Sequence, residues 1–416
     1  MTVTTRKIPA LRFPEFNGEW EEKRLGKDIN LISGQHLSPS EYNNDEDGVP
    51  YFTGPSDFTN NANCLTKWTQ KSTKIAITND VLLTVKGSGV GSLMFLKLPE
   101  VAMGRQLMAV RAKGAIASFL YQILSMKTQH FEKLATGNMI PGISRDDIIQ
   151  TKVVLPTLPE QQKIATFLTT IDTRIQQLSR KKELLEKYKK GVIQQLFSQK
   201  IRFKDEDEKE FPEWEEKQLG AVFTFCQTNS LSRSLLNYER GAVKNIHYGD
   251  IHTKFSTIFD LSKEEVPFIN ESVDLSKIAD ENYCKVGDLI IADASEDYKD
   301  VGKAIEVVNL AGQTLLAGLH TLIVRDVKNR TVTGFKGYMM QTYKVRQQIM
   351  RLATGISVLG ISKGNLSKVK LLLPSPPEQQ KIAAFLSTLD RQINLVSQQL
   401  NQMQTFKKGL LQQMFV

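Results

Sequence analysis

The chain has 416 residues, 41% of them apolar, with a formal net charge of +9 and a pI near 9.2. That length holds two to three domains with real cores, and the basic balance favours an anionic partner such as nucleic acid. No stretch approaches 18 uninterrupted apolar residues, so no membrane span is expected, and the first residues, "MTVTTRKIPALRF", lack an apolar signal core. Cys64, Cys226 and Cys284 are scattered without CxxC spacing, which argues against a zinc or disulfide frame and for a reducing cytoplasm.

Residues 1–155 open on a polar, aromatic lead-in, "RFPEFNGEW". Short β-rich runs follow: "GVPYFTG", "KIAITNDVLLTV", "GSLMFLKL" and "QLMAVRA", separated by loops rich in Gly, Ser, Asn and Asp. "ASFLYQILSMKTQHFEKLAT" reads as helical and closes the unit. Residues 156–200 form one long helix. Thr157 and Glu160 have capping-box spacing, and Ile164, Ile171, Leu178, Leu185 and Val192 recur every seven residues. Leu168, Ile175 and Leu196 interleave, with Lys182 and Lys189 interrupting that row. An apolar 3-4 alternation over five heptads is a coiled-coil pattern, and about 40 residues would extend roughly 60 Å.

Residues 201–373 repeat the plan: "KEFPEWEEKQLG", then "AVKNIHYGDI", "DLIIADA", "GKAIEVV" and "HTLIVRD", then the helical "FKGYMMQTYKVRQQIMRLAT". Residues 374–416 are a second long helix. Ser375 and Glu378 repeat the capping spacing, and Pro376 and Pro377 suit its first positions. Its seam is Ile382, Leu389, Val396, Met403 and Leu410, interleaved with Leu386, Ile393, Leu400 and Met414, with Lys407 as the break. Solvent exposure, or a docked partner, is the expected place for the interrupting lysines.

The two halves are copies. "PEQQKIA" stands at Pro159–Ala165 and, letter for letter, at Pro377–Ala383, an offset of 218. "LATGNMIPGIS" and "LATGISVLGIS" share that offset. "AMGRQLMAVRA" and "LAGLHTLIVRD" differ by 214, "NDVLLTV" and "GDLIIAD" by 208, "EWEEKRLG" and "EWEEKQLG" by 194. The chain is therefore a tandem duplication of a mixed α/β unit, mostly β, and a long helix. The unit interiors differ: "KGSGVGSLMFLK" faces "ASEDYKDVGKAIEV". A shared scaffold around dissimilar inserts suggests two related tasks with different targets. Net charge divides as +3 over 1–155, +5 over 156–200, −1 over 201–373 and +2 over 374–416, so the second unit must cluster its basic groups to meet an anion.

No pattern for chemistry emerges. "KGSGVGS" (Lys86–Ser92) has neither Walker spacing nor a following helix, and reads as a flexible loop beside a ligand or backbone. "HYGDIH" (His247–His252) places two histidines at i and i+5, which is not helix-face metal spacing; a loop presenting Tyr248, Asp250, His252 and Lys254 is the better reading, a plain strand-turn the simpler one. There is no Asp/Asn-Pro-Pro-aromatic tetrapeptide, no Pro-Asp before Glu-x-Lys and no Ser/His/Asp arrangement. The pattern is that of a recogniser, with no metal site and no catalytic residue.

"LPEQQKIATFLTTID" and "PPEQQKIAAFLSTLD", each opening a long helix after a variable unit, resemble the specificity subunit of type I restriction-modification systems, and "YGDIHTKF" is similar to segments of that family. The resemblance covers essentially the whole chain. It implies two target-recognition domains (1–155 and 201–373), each reading one half of a bipartite double-stranded DNA site. It implies that the helices (156–200 and 374–416) form an antiparallel coiled coil spacing the domains, a pairing that suits the pseudo-twofold repeat. It implies two docked methyltransferase subunits and, where present, restriction and translocase subunits; S-adenosylmethionine, ATP and magnesium would belong to those partners, and none to this chain. A self-sufficient DNA-modifying enzyme and a coiled-coil scaffold without DNA binding are the competing readings. For DNA contact, loop donors are preferred: Lys86, Ser88, Ser92, Arg105, Gln106 and Asn138 in the first unit, and Tyr248, His252, Lys254, Lys299, Lys303 and His320 in the second.

Overall fold

The structure is a computed structural model that describes residues 7–135 and 141–416. The chain divides into two compact units, Met1–Ser179 with Gln398–Val416, and Arg180–Ser397. Each unit takes one end of each long helix, Leu158–Phe197 and Pro376–Met414.

The expected β-rich runs form strands because branched and aromatic residues alternate with turn residues. In the first unit one sheet orders Ile29–Ser33, Leu107–Ala112, Val81–Thr84 and Leu93–Phe95, all antiparallel. A second orders Trp68–Thr69, Val49–Phe52, Glu100–Met103 and Ile75–Ile77, with Val49–Phe52 parallel to Glu100–Met103. The second unit repeats this with a five-stranded sheet (Thr224–Cys226, Thr321–Arg325, Leu289–Ala292, Ala304–Asn309, Ile258–Asp260). Its four-stranded sheet again holds one parallel pair, Val243–Ile246 with Thr314–Ala317. Val81–Thr84 and Leu289–Ala292 are buried throughout, as strands at the centre of a covered sheet must be. The expected helical closures are present at Ala117–Met126 and Thr128–Ala135, and at Lys336–Met340 and Tyr343–Leu352.

The repeated "EWEEK" segments are strands. Glu21–Arg24 pairs antiparallel with Lys152–Leu155, and Glu215–Gln218 with Lys370–Leu373, so each unit is closed by its own first and last strand beside the helix start.

The repeated "PEQQKIA" marks both helix starts, but its glutamate does not form the expected capping box. Glu160 accepts from Arg12 (Nε and Nη2, 2.7 Å each) and from Trp20 Nε1 at 3.3 Å. Glu378 accepts from Arg202 (3.1 and 2.8 Å) and from Trp214 Nε1 at 3.0 Å. Ser375 Oγ is buried without a hydrogen-bond partner. The carboxylate is drawn to the guanidinium because a charge-assisted, two-pronged bond outweighs a single backbone N–H. The following glutamine ties the helix to the sheet: Gln161 donates to Pro156 O and accepts from Ile116 N, and Gln379 donates to Pro374 O and accepts from Val332 N. The motif is thus a joint, repeated because each unit needs one.

Every proposed seam position is buried or half-buried. In the first unit Ile164, Leu168 and Ile171 share a core with Leu410, Met414 and Phe415, which brings the start of one helix against the end of the other. In the second unit Val192, Leu196 and Phe197 share a core with Ile382, Leu386 and Leu389. Within each unit the helix ends therefore run antiparallel. Two of the interrupting lysines are neither solvent-exposed nor free for a partner. Lys189 pairs with Asp390 at 2.5 Å and Lys407 with Asp172 at 2.6 Å, each lysine 18% exposed. Tyr338 Oη donates to Asp390, and Gln122 Nε2 to Asp172. Both pairs obey the 218-residue offset.

Candidate nucleic-acid interface

In the first unit three turns converge. Gly104 N donates to Phe52 O, Val85 N to Gln106 O and Gly87 N to Pro141 O. A Cβ on Gly89 would lie 2.6 Å from Pro55 Cγ, and one on Gly54 would lie 2.5 Å from Gln106 Oε1. The glycine-rich loop is therefore packed against backbone and against the Thr53–Asp57 turn. Leu93–Phe95 after it is a strand, so it opens no helix onto a phosphate. Lys86, Ser88, Arg105 and Gln106 are exposed around this cluster. Among the described residues, Lys86 and Arg105 have no ion-pair partner. Ser92 serves the turn: its N donates to Gly89 O and its O accepts from Thr84 N. Asn138 lies outside the described residues. Sequence reasoning passed over Asp57. It accepts from Thr53 N and Oγ1 and pairs with Lys67 at 3.2 Å. Burial raises its pKa, but these bonds outweigh burial and hold the carboxyl below its usual value.

The second unit repeats the frame hydrogen bond for hydrogen bond. Gly318 N donates to Ile246 O (2.8 Å) as Gly104 N does to Phe52 O (2.8 Å). Asp293 N donates to His320 O as Val85 N does to Gln106 O, and Ile361 N to Asp293 O as Ile143 N does to Val85 O. Close approach of backbone requires Gly104, where a Cβ would lie 2.9 Å from Thr53 Cα; one on Gly318 would crowd Asn245 Nδ2 at 2.5 Å and Ile246 O at 3.0 Å.

What stands on that frame is different. "HYGDIH" is neither an open loop nor a strand-turn: Tyr248–Thr253 is a short helix capped by His247, whose Nδ1 accepts from Gly249 N. The Tyr248 ring contacts His247, His252 and His320 at centroid distances of 4.6, 5.9 and 5.4 Å. Burial pushes the His247 pKa down and the nearby Arg233 adds to it, so this ring is neutral near pH 7. Asp250 is not presented to a ligand. It is 2% exposed and accepts from Arg233 at 2.9 Å, with Lys254 at 3.4 Å. A helix start puts its side chain inward and sets it as an anchor for two cations. Lys254 also reaches Tyr238 Oη at 3.1 Å. His252 Nε2 meets Ala294 O, Lys303 Nζ donates to His252 O, and His320 Nδ1 is 3.3 Å from Asp293. Tyr248, His252, Lys303 and His320 thus come together. Lys299 does not join them: its carbonyl accepts from Arg346, and it lines a groove with Lys190, Tyr343 and Met350. Arg233, Tyr238 and Asp293 were missed, because each stands well apart in sequence from the group it meets: His247 and Asp250 for Arg233, Lys254 for Tyr238, and His320 for Asp293.

Among the described residues no cluster of three His, Cys, Asp or Glu is placed to hold a metal, and no helix is long and apolar enough to cross a membrane. The arrangement offers exposed donors and acceptors on two rigid frames, an arrangement suited to reading a surface.

Known proteins agree with this layout. The type I restriction modification DNA specificity domain profile matches residues 17–187 and again 212–405. The type I restriction enzyme MjaVIII specificity subunit of Methanocaldococcus jannaschii is 25% identical across 98% of this chain and 93% of its own length. The chain spans only about half of two others from that organism: 45% of MjaX at 30% identity and 51% of the MjaIX specificity subunit at 23%. Among solved structures, the type I restriction-modification S subunit from M. genitalium superposes with a TM-score of 0.65 at 17% identity, covering 98% of this chain and 99% of that one. A chain of a type I R-M system assembly gives 0.51 at 16%, covering 94% and 96%. Matched twice, over most of its length, the chain belongs to the type I restriction modification DNA specificity domain family.

Proposed function

We propose that this chain is the sequence-reading subunit of a type I restriction-modification complex, and that each unit reads one half of a bipartite, asymmetric DNA site. The observation that supports it is the duplicated hydrogen-bond frame at Gly104 and Gly318, which presents Lys86, Arg105 and Gln106 in one copy and Tyr248, Lys303 and His320 in the other. Identical frames with different exposed side chains read different sequences, because backbone geometry positions and side-chain chemistry specifies. The chain supplies no catalytic group in this reading. Methyltransferase subunits, and restriction subunits where present, bring S-adenosylmethionine, ATP and magnesium. The joints at Glu160 and Glu378 keep each unit fixed to its helix ends, so the recognition loops are held on a rigid base.

The test is methyl transfer from labelled S-adenosylmethionine to DNA, with the chain alone and with its methyltransferase subunits, followed by mapping of the methylated motif. The complex should modify adenines in a bipartite motif with unlike halves, and its binding should weaken steeply with salt. Transfer by the chain alone would make it an enzyme in its own right, and salt-insensitive failure to bind DNA would make it a protein scaffold.

A further inference from the structure

The shared frame puts Gln106 and His320 at one and the same place, the turn that leaves the parallel-paired strand. Each gives its carbonyl to the matching strand end, Val85 N at 2.7 Å and Asp293 N at 3.0 Å. Their side chains are exposed. The residue two positions beyond the matched strand residues Phe52 and Ile246 faces each of them: Gly54 in the first unit and Tyr248 in the second. Gly54 leaves room for the Gln106 amide, which has no hydrogen-bond partner among the described residues. Tyr248 instead packs its ring on His320, whose Nδ1 lies by Asp293. His320 is also held at φ +57°, a conformation that side chains rarely adopt and that the surrounding sheet must impose.

Resting on the reading above, we propose that Gln106 and His320 are the matched specificity-determining residues of the two half-sites, Gln106 facing an adenine and His320 facing a base with an exocyclic amine, cytosine or adenine. A carboxamide offers one donor and one acceptor side by side, the pattern that matches adenine N7 and N6 in the major groove. With Nδ1 directed at Asp293, the ring leaves Nε2 for a base edge, and in the tautomer that carries its proton on Nδ1 that nitrogen accepts from an exocyclic N–H. Neither side chain carries a fixed charge; the adjacent Lys86 and Arg105 do, and are the stronger phosphate ligands of this surface.

The experiment uses the chain assembled with its methyltransferase subunits and reads the methylated motif by sequencing. Gln106→Ala should relax one base pair of one half-site, discrimination there falling roughly 5- to 150-fold, with the other half unchanged. His320→Asn, which tolerates the same backbone conformation, should alter one base pair of the other half only. Arg105→Ala should weaken matched and mismatched sites alike. Active Gln106 and His320 variants that keep the wild-type motif overturn the proposal, as does a uniform loss across sequences. A wild-type complex without a bipartite motif sinks the underlying reading and this proposal with it.

Discussion

Glu160 and Glu378 have side chains 1% and 0% exposed, while their partners Arg12 and Arg202 are 13% and 18% exposed. The two ends of each bridge are therefore unequal. Removing the carboxylate leaves an arginine that can turn toward water along its flexible stem. Removing the arginine strands a charge in the core, with only Trp214 Nε1 left on Glu378. Arg202→Ala should cost about 3 kcal/mol and Glu378→Ala about half as much, read from urea unfolding of the purified chain. Equal costs would mean that Glu378 finds water when its partner is gone.

The long helices are specified by periodicity, yet their polar interruptions carry information too. Lys189 and Lys407 sit where an apolar residue belongs, and each is offset by an aspartate on the other helix. Burial is partial at both sites, so each pair contributes less than a fully buried one and more than a surface one. Lys189→Asp should lower stability by roughly 1–2 kcal/mol, by like-charge opposition to Asp390. Adding Asp390→Lys should recover most of it, while the same Asp390→Lys should leave a Lys407→Asp variant unrescued. A shift in the unfolding midpoint across this set of variants checks the pairing. A Lys189→Asp variant left unrescued by Asp390→Lys would contradict the antiparallel assignment.

Across the whole molecule, duplication lets recognition be divided. The two units share their frame but differ in every exposed side chain at the matching turns, and the interior differs as well. Phe95 meets Tyr121 ring to ring, tilted by 53°, in the first unit, while the second has the buried pair Glu306–Lys336 at 2.9 Å. Unlike surfaces on like frames predict unlike half-sites. Exchanging residues 1–155 for the corresponding unit of a relative should replace one half of the methylated motif and leave the other half intact. A change in both halves, or a palindromic native motif, would show that the units do not read independently.

The sequence by itself determined the duplication, the two long helices and the β-rich units, because these rest on residue order alone, on periodicity and on the comparison of one half with the other. It also showed that Gly104 and Gly318, and with them Gln106 and His320, are counterparts. It could not show that "PEQQKIA" is a joint, since Arg12 and Arg202 stand 148 and 176 residues from their glutamates. Nor could it separate Asp250, an anchor, from Tyr248, a half-buried ring among three histidines, within one six-residue helix, or place Lys299 apart from Lys303. Those decisions belong to tertiary structure. A polar side chain is sent inward or outward by whether a partner from a distant segment satisfies its charge and hydrogen bonds, and no local pattern records where that partner will be.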